Sequence, residues 1–146
     1  MRYLGLDVGD RRIGVAMSDE SATLATGLDT IRRVGPRKDL KVVAALVREH
    51  GVSEVVVGLP RKLDGSIGVQ ARKTLEFMDE LRPVVKVPVV AWDERLTSAL
   101  ADQALLEADL SRRDRRAFVD KVSAILILQN YLDYRKVTGV EARDSA

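Results

Sequence analysis

The chain has 146 residues, a formal net charge of +2, no cysteine and a single histidine, His50. At this length one domain with a sizeable core is expected. A disulfide framework and a thiolate metal site are excluded and a histidine-rich one is disfavoured, so any metal must be held by oxygen, which favours Mg²⁺ or Mn²⁺.

Met1 to Val8 reads as a strand whose apolar run ends in an acid, Asp7, flanked by Gly5 and Gly9. Alternation puts Tyr3, Gly5 and Asp7 on one face. A carboxylate there is costly to bury unless it is paired or binds a metal, and the glycines let a backbone or a phosphate come close. The plainer alternative is a surface hairpin with a turn aspartate. After the charged turn Asp10, Arg11 and Arg12, a second strand runs from Arg12 to Asp19. A third, Leu24 to Arg32, returns antiparallel across a turn at Ser21 to Thr23.

Gly35 and Pro36 break the chain, and Leu40, Val43, Ala44 and Val47 then recur at helical spacing up to Gly51. His50 in the last turn is a surface residue favoured by the helix dipole. Ser53 to Leu59 has the near-continuous apolar run of a strand buried on both faces. The stretch Pro60 to Gly68 is a mobile, basic loop carrying Arg61 and Lys62. A second helix buries Ala71, Leu75, Met78 and Leu81 and is expected to end at Pro83. Val87 to Trp92 forms the last strand, followed by Asp93 and Glu94. Thr97 or Ser98 can cap a third helix burying Leu100, Ala104 and Leu105. The run SRRDRR then forms a loop with Arg112, Arg113, Arg115 and Arg116. Ala117 to Tyr134 is a long helix, apolar over most of its circumference and so largely buried. The order predicts a five-stranded mixed α/β sheet with helices on both faces, as one domain over residues 1–137. Residues 138–146 are expected to form a flexible tail.

Three places put a carboxylate where an apolar residue would be the default: Asp7, the pair Asp93 and Glu94, and Asp120 in its apolar helix. Parallel strand ends converge on one edge, where a helix can carry Asp120 towards Asp7 and Glu94. Without a cation such acids repel; with Mg²⁺ or Mn²⁺ they form a hydrolytic site for an in-line displacement at phosphorus. Arg11, Arg12, Arg61, Lys62 and the arginines at 112, 113, 115 and 116 suit nucleic-acid phosphates as partners, although a charge run is commonly a solvated surface. Aromatics are too few for base stacking to dominate, and Trp92 reads as a core residue beside the site.

The motifs GLDVGDRRIGVAMSD (5–19), VVVGLPRKLDGS (55–66), DERLTS (93–98) and DKVSAILILQNYL (120–132) span most of the chain in order. On these residues the sequence resembles the YqgF/RuvX family of pre-16S ribosomal RNA nucleases, also described as Holliday-junction-resolvase-like. The resemblance implies a ribonuclease H-like fold, a cytoplasmic location, and a metal-dependent nuclease that matures the 5′ end of pre-16S RNA. It implies Asp7, Glu94 and Asp120 as catalytic and metal-binding acids, with Asp93 as an alternative to Glu94. Arg95, within the DERLTS motif, joins the nucleic-acid-binding set. Arg61 and Lys62 replace uncharged residues of many members, which bears on substrate preference.

Pre-rRNA and a branched DNA junction both remain open as substrates, as do a monomer and a homodimer; no membrane partner is expected, because no apolar run is long enough to span one. Two other readings compete. The first motif also looks like the phosphate loop of actin-like kinases, but those need a second domain to close around ATP. A catalytically silent nucleic-acid-binding module would bind without cutting.

Overall fold

The computed structural model describes residues 1–62, 64–93 and 112–138, with side chains in the last segment for residues 121–137. Five strands form one sheet: β1 (Arg2–Val8), β2 (Arg12–Ser18), β3 (Ala25–Arg32), β4 (Val52–Leu59) and β5 (Val89–Asp93), in the order β3-β2-β1-β4-β5. β1 pairs antiparallel with β2, and β2 with β3; β1 and β4 are parallel, as are β4 and β5. Three helices are described: α1 (Pro36–His50), α2 (Val69–Val85) and α3 (Arg112–Thr138).

Period-two alternation builds two cores from the same strands. Leu4, Leu6 and Val8 of β1 pack with Val43 and Val47 of α1 and Phe77, Met78 and Leu81 of α2. Tyr3 of β1, Ala16 of β2, Val56 of β4 and Val90 of β5 pack on the other face against Ala124, Ile127, Leu128 and Tyr131 of α3. β4 is buried on both faces, and its apolar run reflects that.

α3 lies unusually close to the sheet. A Cβ on Gly5 would stand 2.8 Å from the Leu128 Cβ and 3.2 Å from the Ala124 carbonyl oxygen. Gly5 pairs with Ala16, and Ala16 with Gly27, so small residues run across three strands under the helix. The stem of Lys121 lies on Gly27. The close backbone approach expected at Gly5 is thus made by a helix. At Gly9 the nearest atom is the Arg12 carbonyl oxygen, within the hairpin itself.

Several elements differ from the sequence expectation. Pro83 does not end α2, which runs on to Val85. In the last turn a proline forfeits one backbone hydrogen bond, and the burial of Leu81 and Val85 holds the helix together past it. The SRRDRR run is not a loop, because α3 begins at Arg112. Arginine is a good helix former, and no glycine or proline interrupts the stretch. Among its described side chains, α3 is buried along one stripe, and Val122, Ile125 and Leu126 are half-buried. β5 starts at Val89, two residues later than the apolar pattern suggests. The expected helix after Thr97 or Ser98, Glu94 and Arg95, and the tail 139–146 lie outside the described residues. Among the described residues no helix is long and apolar enough to cross a membrane.

Candidate active site

The carboxyl ends of β1 and β4 define one pole of the sheet. Asp7 stands there on the α3 face, two residues beyond Gly5 and half-buried. Its partner across β2 is Gly14, itself buried, which places no side chain beside the carboxylate. α3 runs antiparallel to β1: the Tyr131 ring lies 6.0 Å from that of Tyr3, and Ala124 lies over Gly5. Position 120 is one helical turn before Ala124, so stepping towards it moves in the same direction as stepping from Gly5 to Asp7. Helix and strand thus bring the backbone of position 120 and Asp7 to the same pole.

Asp93 has the other parity. It pairs with Leu59 at the exposed end of β5, and alternation from Val89 and Ala91 assigns it to the α1/α2 face, opposite Asp7. Among the described residues no three His, Asp or Glu side chains gather as a metal site. Of the sequence-derived acids Asp7, Glu94 and Asp120, only the Asp7 side chain is described.

The basic residues around this pole come from separate elements. Arg11 is exposed in the β1–β2 hairpin and Arg12 opens β2. Arg61 and Lys62 are exposed in the loop after β4. That loop is tied by its own bonds: the Lys62 amide donates to the Ser66 carbonyl at 3.1 Å and the Gly65 amide to the Lys62 carbonyl at 2.8 Å. Asp64 accepts from the Ser66 amide at 2.8 Å and its hydroxyl at 2.6 Å. The hairpin is joined to α2 by Lys73 and Asp10 at 3.4 Å, and the Gln70 side-chain amide donates to the Val8 carbonyl at 3.3 Å. Arg112, Arg113, Arg115 and Arg116 occupy the first turns of α3.

A buried ion pair that the sequence pattern did not single out sits behind the hairpin. Asp39, 1 % exposed in the first turn of α1, accepts from the Arg33 Nε at 3.1 Å and the Val34 amide at 3.0 Å. Arg33 also donates to the Gly9 carbonyl at 2.9 Å and lies over the Phe77 ring. Burial opposes ionisation of Asp39, but the Val34 amide and the adjacent guanidinium outweigh it and hold the carboxyl below its ordinary value. The pair pins the hairpin that follows Asp7. Its one sequence signal was an acid placed three residues after a proline that opens a helix. At the far pole, Asp19 is likewise held low by the Thr23 amide, the Ser21 hydroxyl and the Leu24 amide, and serves the β2–β3 turn.

The sequence matches the profile of the family described as "RuvX: Holliday junction resolvase" over residues 1–134. The chain belongs to the RuvX family. Two similar relatives are named "Putative pre-16S rRNA nuclease". One, from Desulforudis audaxviator, is 51% identical over 136 residues, covering 93% of this chain and 96% of the relative. The other, from Moorella thermoacetica, is 51% identical over 140 residues, covering 96% and 100%. Among solved structures, the RuvC of T. thermophilus in complex with a Holliday junction substrate superposes with a TM-score of 0.60 at 17% identity, covering 97% of this chain and 99% of that one. The Fowlpox virus Holliday junction resolvase gives 0.55 at 11% identity, covering 92% and 99%. At such identities the likeness shows the fold, a ribonuclease H-like mixed sheet. RuvX membership makes the protein a nuclease, a hydrolase of phosphodiester bonds.

Proposed function

We propose that this RuvX protein is a divalent-metal-dependent nuclease acting on structured nucleic acid, with the 5′ region of pre-16S rRNA as its substrate. The observation that carries this reading is the antiparallel register of α3 on β1, which supports Asp120 as the partner of Asp7. The donor set fits Mg²⁺ or Mn²⁺, since the chain has no thiol and one imidazole, and His50 closes α1 at the opposite pole. Asp7, Glu94 and Asp120 would hold the metal. The parity of Asp93 supports Glu94 rather than Asp93 as the second acid. When bound, a divalent ion activates water and stabilises the oxygens of an in-line displacement at phosphorus.

The chain's own residues do the rest. Arg11, Arg12, Arg61 and Lys62, with Arg95 and the arginines opening α3, hold the phosphates on either side of the cut. The hairpin pinned by Arg33 and Asp39 keeps Asp7 and its neighbouring arginines in a constant relation, so little reorganisation is needed when substrate arrives. Relatives named for pre-16S rRNA support RNA as substrate, and the family description supports branched DNA as the second reading. Cleavage of a pre-16S RNA fragment and of a four-way DNA junction, each with Mg²⁺ and with Mn²⁺ beside an Asp7→Asn control, decides between them. Cutting of neither substrate by the wild type at any metal concentration would sink the nuclease reading in favour of silent binding.

A further inference from the structure

Arg32 did not stand out in the sequence, yet the sheet sets it directly opposite Arg12. The Arg33 amide donates to the Arg11 carbonyl at 2.9 Å, so Arg12 and Arg32 form a non-hydrogen-bonded pair. In such pairs the Cα atoms are only about 4.5 Å apart and the side chains are closest. The neighbouring pair, Ile13 and Ile31, packs into the α1/α2 core. Alternation therefore assigns both arginines to the α3 face, the face of Asp7. Like charges directly opposite destabilise a sheet. Among the described residues the exposed Arg32 side chain makes no hydrogen bond or ion pair, and Asp29, the nearest acid along β3, makes none with it.

The location gives the pair a use. Gly14 lies between the pair and Asp7 on the same face and contributes no side chain. Strand spacing and rise put the Asp7 Cα roughly 8 Å from that of Arg12 and roughly 12 Å from that of Arg32. An arginine side chain spans much of that distance, and its planar fork matches phosphate oxygens two at a time.

We infer that Arg12 and Arg32 form a phosphate clamp that grips one phosphodiester group of the substrate beside the scissile bond, on the β2–β3 side of Asp7. The assignment of the ligand as a nucleic-acid backbone rests on the nuclease reading above. The clamp makes the outer ribbon of the sheet part of the substrate track, and it sets on which side of the cut the backbone is held.

The test is equilibrium binding of two labelled probes, an RNA hairpin with a single-stranded 5′ extension and a four-way DNA junction, with Ca²⁺ replacing Mg²⁺ to prevent turnover. For Arg32→Gln, binding near ~0.1 M salt weakens several-fold and the slope of log affinity against log salt becomes shallower by about 0.7 to 0.9. Arg32→Lys restores the slope, because charge is restored. Without nucleic acid, Arg32→Gln melts no lower than wild type, since the exposed Arg32 side chain has no hydrogen bond or ion pair among the described residues to lose. If wild type binds and Arg32→Gln binds as tightly with the same slope, the clamp is overturned while the nuclease reading stands. If wild type binds neither probe, both fall.

Discussion

Beneath α1 and α2 the sheet presents Leu4, Leu6, Ile13, Val15, Val55 and Val57, all fully buried. Beneath α3 the same strands present Tyr3, Gly5, Asp7, Gly14, Ala16 and Glu54. The first face is an aliphatic packing surface, where residues of similar volume can substitute for one another at modest cost. The second mixes the apolar Tyr3, Val56 and Val90 with small and polar residues. Its buried polar groups find partners: the Tyr131 hydroxyl donates to Glu54 at 2.6 Å, and the Tyr3 amide to the Ser18 hydroxyl at 2.8 Å. Its small residues let a helix backbone rest on the strands. One face therefore supplies stability, and the other trades apolar area for close approach and for a carboxylate at the rim.

The sharpest way to separate the faces is to compare adjacent residues of β1. Asp7→Asn is expected to lower cleavage by more than about 100-fold, beyond the loss usual for an outer-shell metal partner. It leaves the fold intact, and the metal-free variant melts no lower than wild type because a charge is removed from among the acids. Cleavage within about tenfold of wild type would be incompatible with Asp7 as a metal ligand. Leu6→Ala, one residue away on the aliphatic face, is expected to cost about 2 to 5 kcal/mol in urea unfolding. Activity per folded molecule stays near wild type. A loss of cleavage without loss of stability would show that the two faces are not separate.

Gly5→Ala probes the helix seat. The new methyl meets the Leu128 Cβ and the Ala124 carbonyl, neither of which can swing aside, so α3 must lift. A cost of about 1 to 3 kcal/mol is expected, with a fall in cleavage out of proportion to it if position 120 carries a catalytic acid. Gly27→Ala meets chiefly the flexible Lys121 stem and should cost less in both measurements. Equal effects at the two glycines would argue against α3 as a precision element.

The smallest expected effect is on the acid limb of stability. Asp39 has a folded pKa below its ordinary 3.8. Its contribution is therefore fully present above that value and is lost as the pH falls through the lower folded value. Asp39→Asn should flatten the stability profile below about pH 4 while leaving the neutral arm parallel to wild type. Chemical denaturation from pH 6 to pH 2 measures this. An unchanged acid limb would show that the pair behind the hairpin contributes no pH-dependent stability.

The linear sequence was sufficient for the strands, the antiparallel start of the sheet, the parallel continuation and the unusual position of Asp7. Those features depend on local alternation, on glycine and proline, and on acids interrupting apolar runs, all of which are visible within a few residues. Tertiary packing decided the rest. Whether Pro83 stopped its helix depended on the burial of Leu81 and Val85 against other elements, and the start of α3 among the arginines could not be read from charge alone. The Arg33–Asp39 pair joins the end of β3 to the first turn of α1 and, through Gly9, to the hairpin after β1. Arg12 and Arg32 lie twenty positions apart in the chain and meet only through strand register. A carboxylate inside an apolar strand declares itself by the cost of burying it, whereas two arginines at the ends of two strands have no local cost until the sheet brings them side by side.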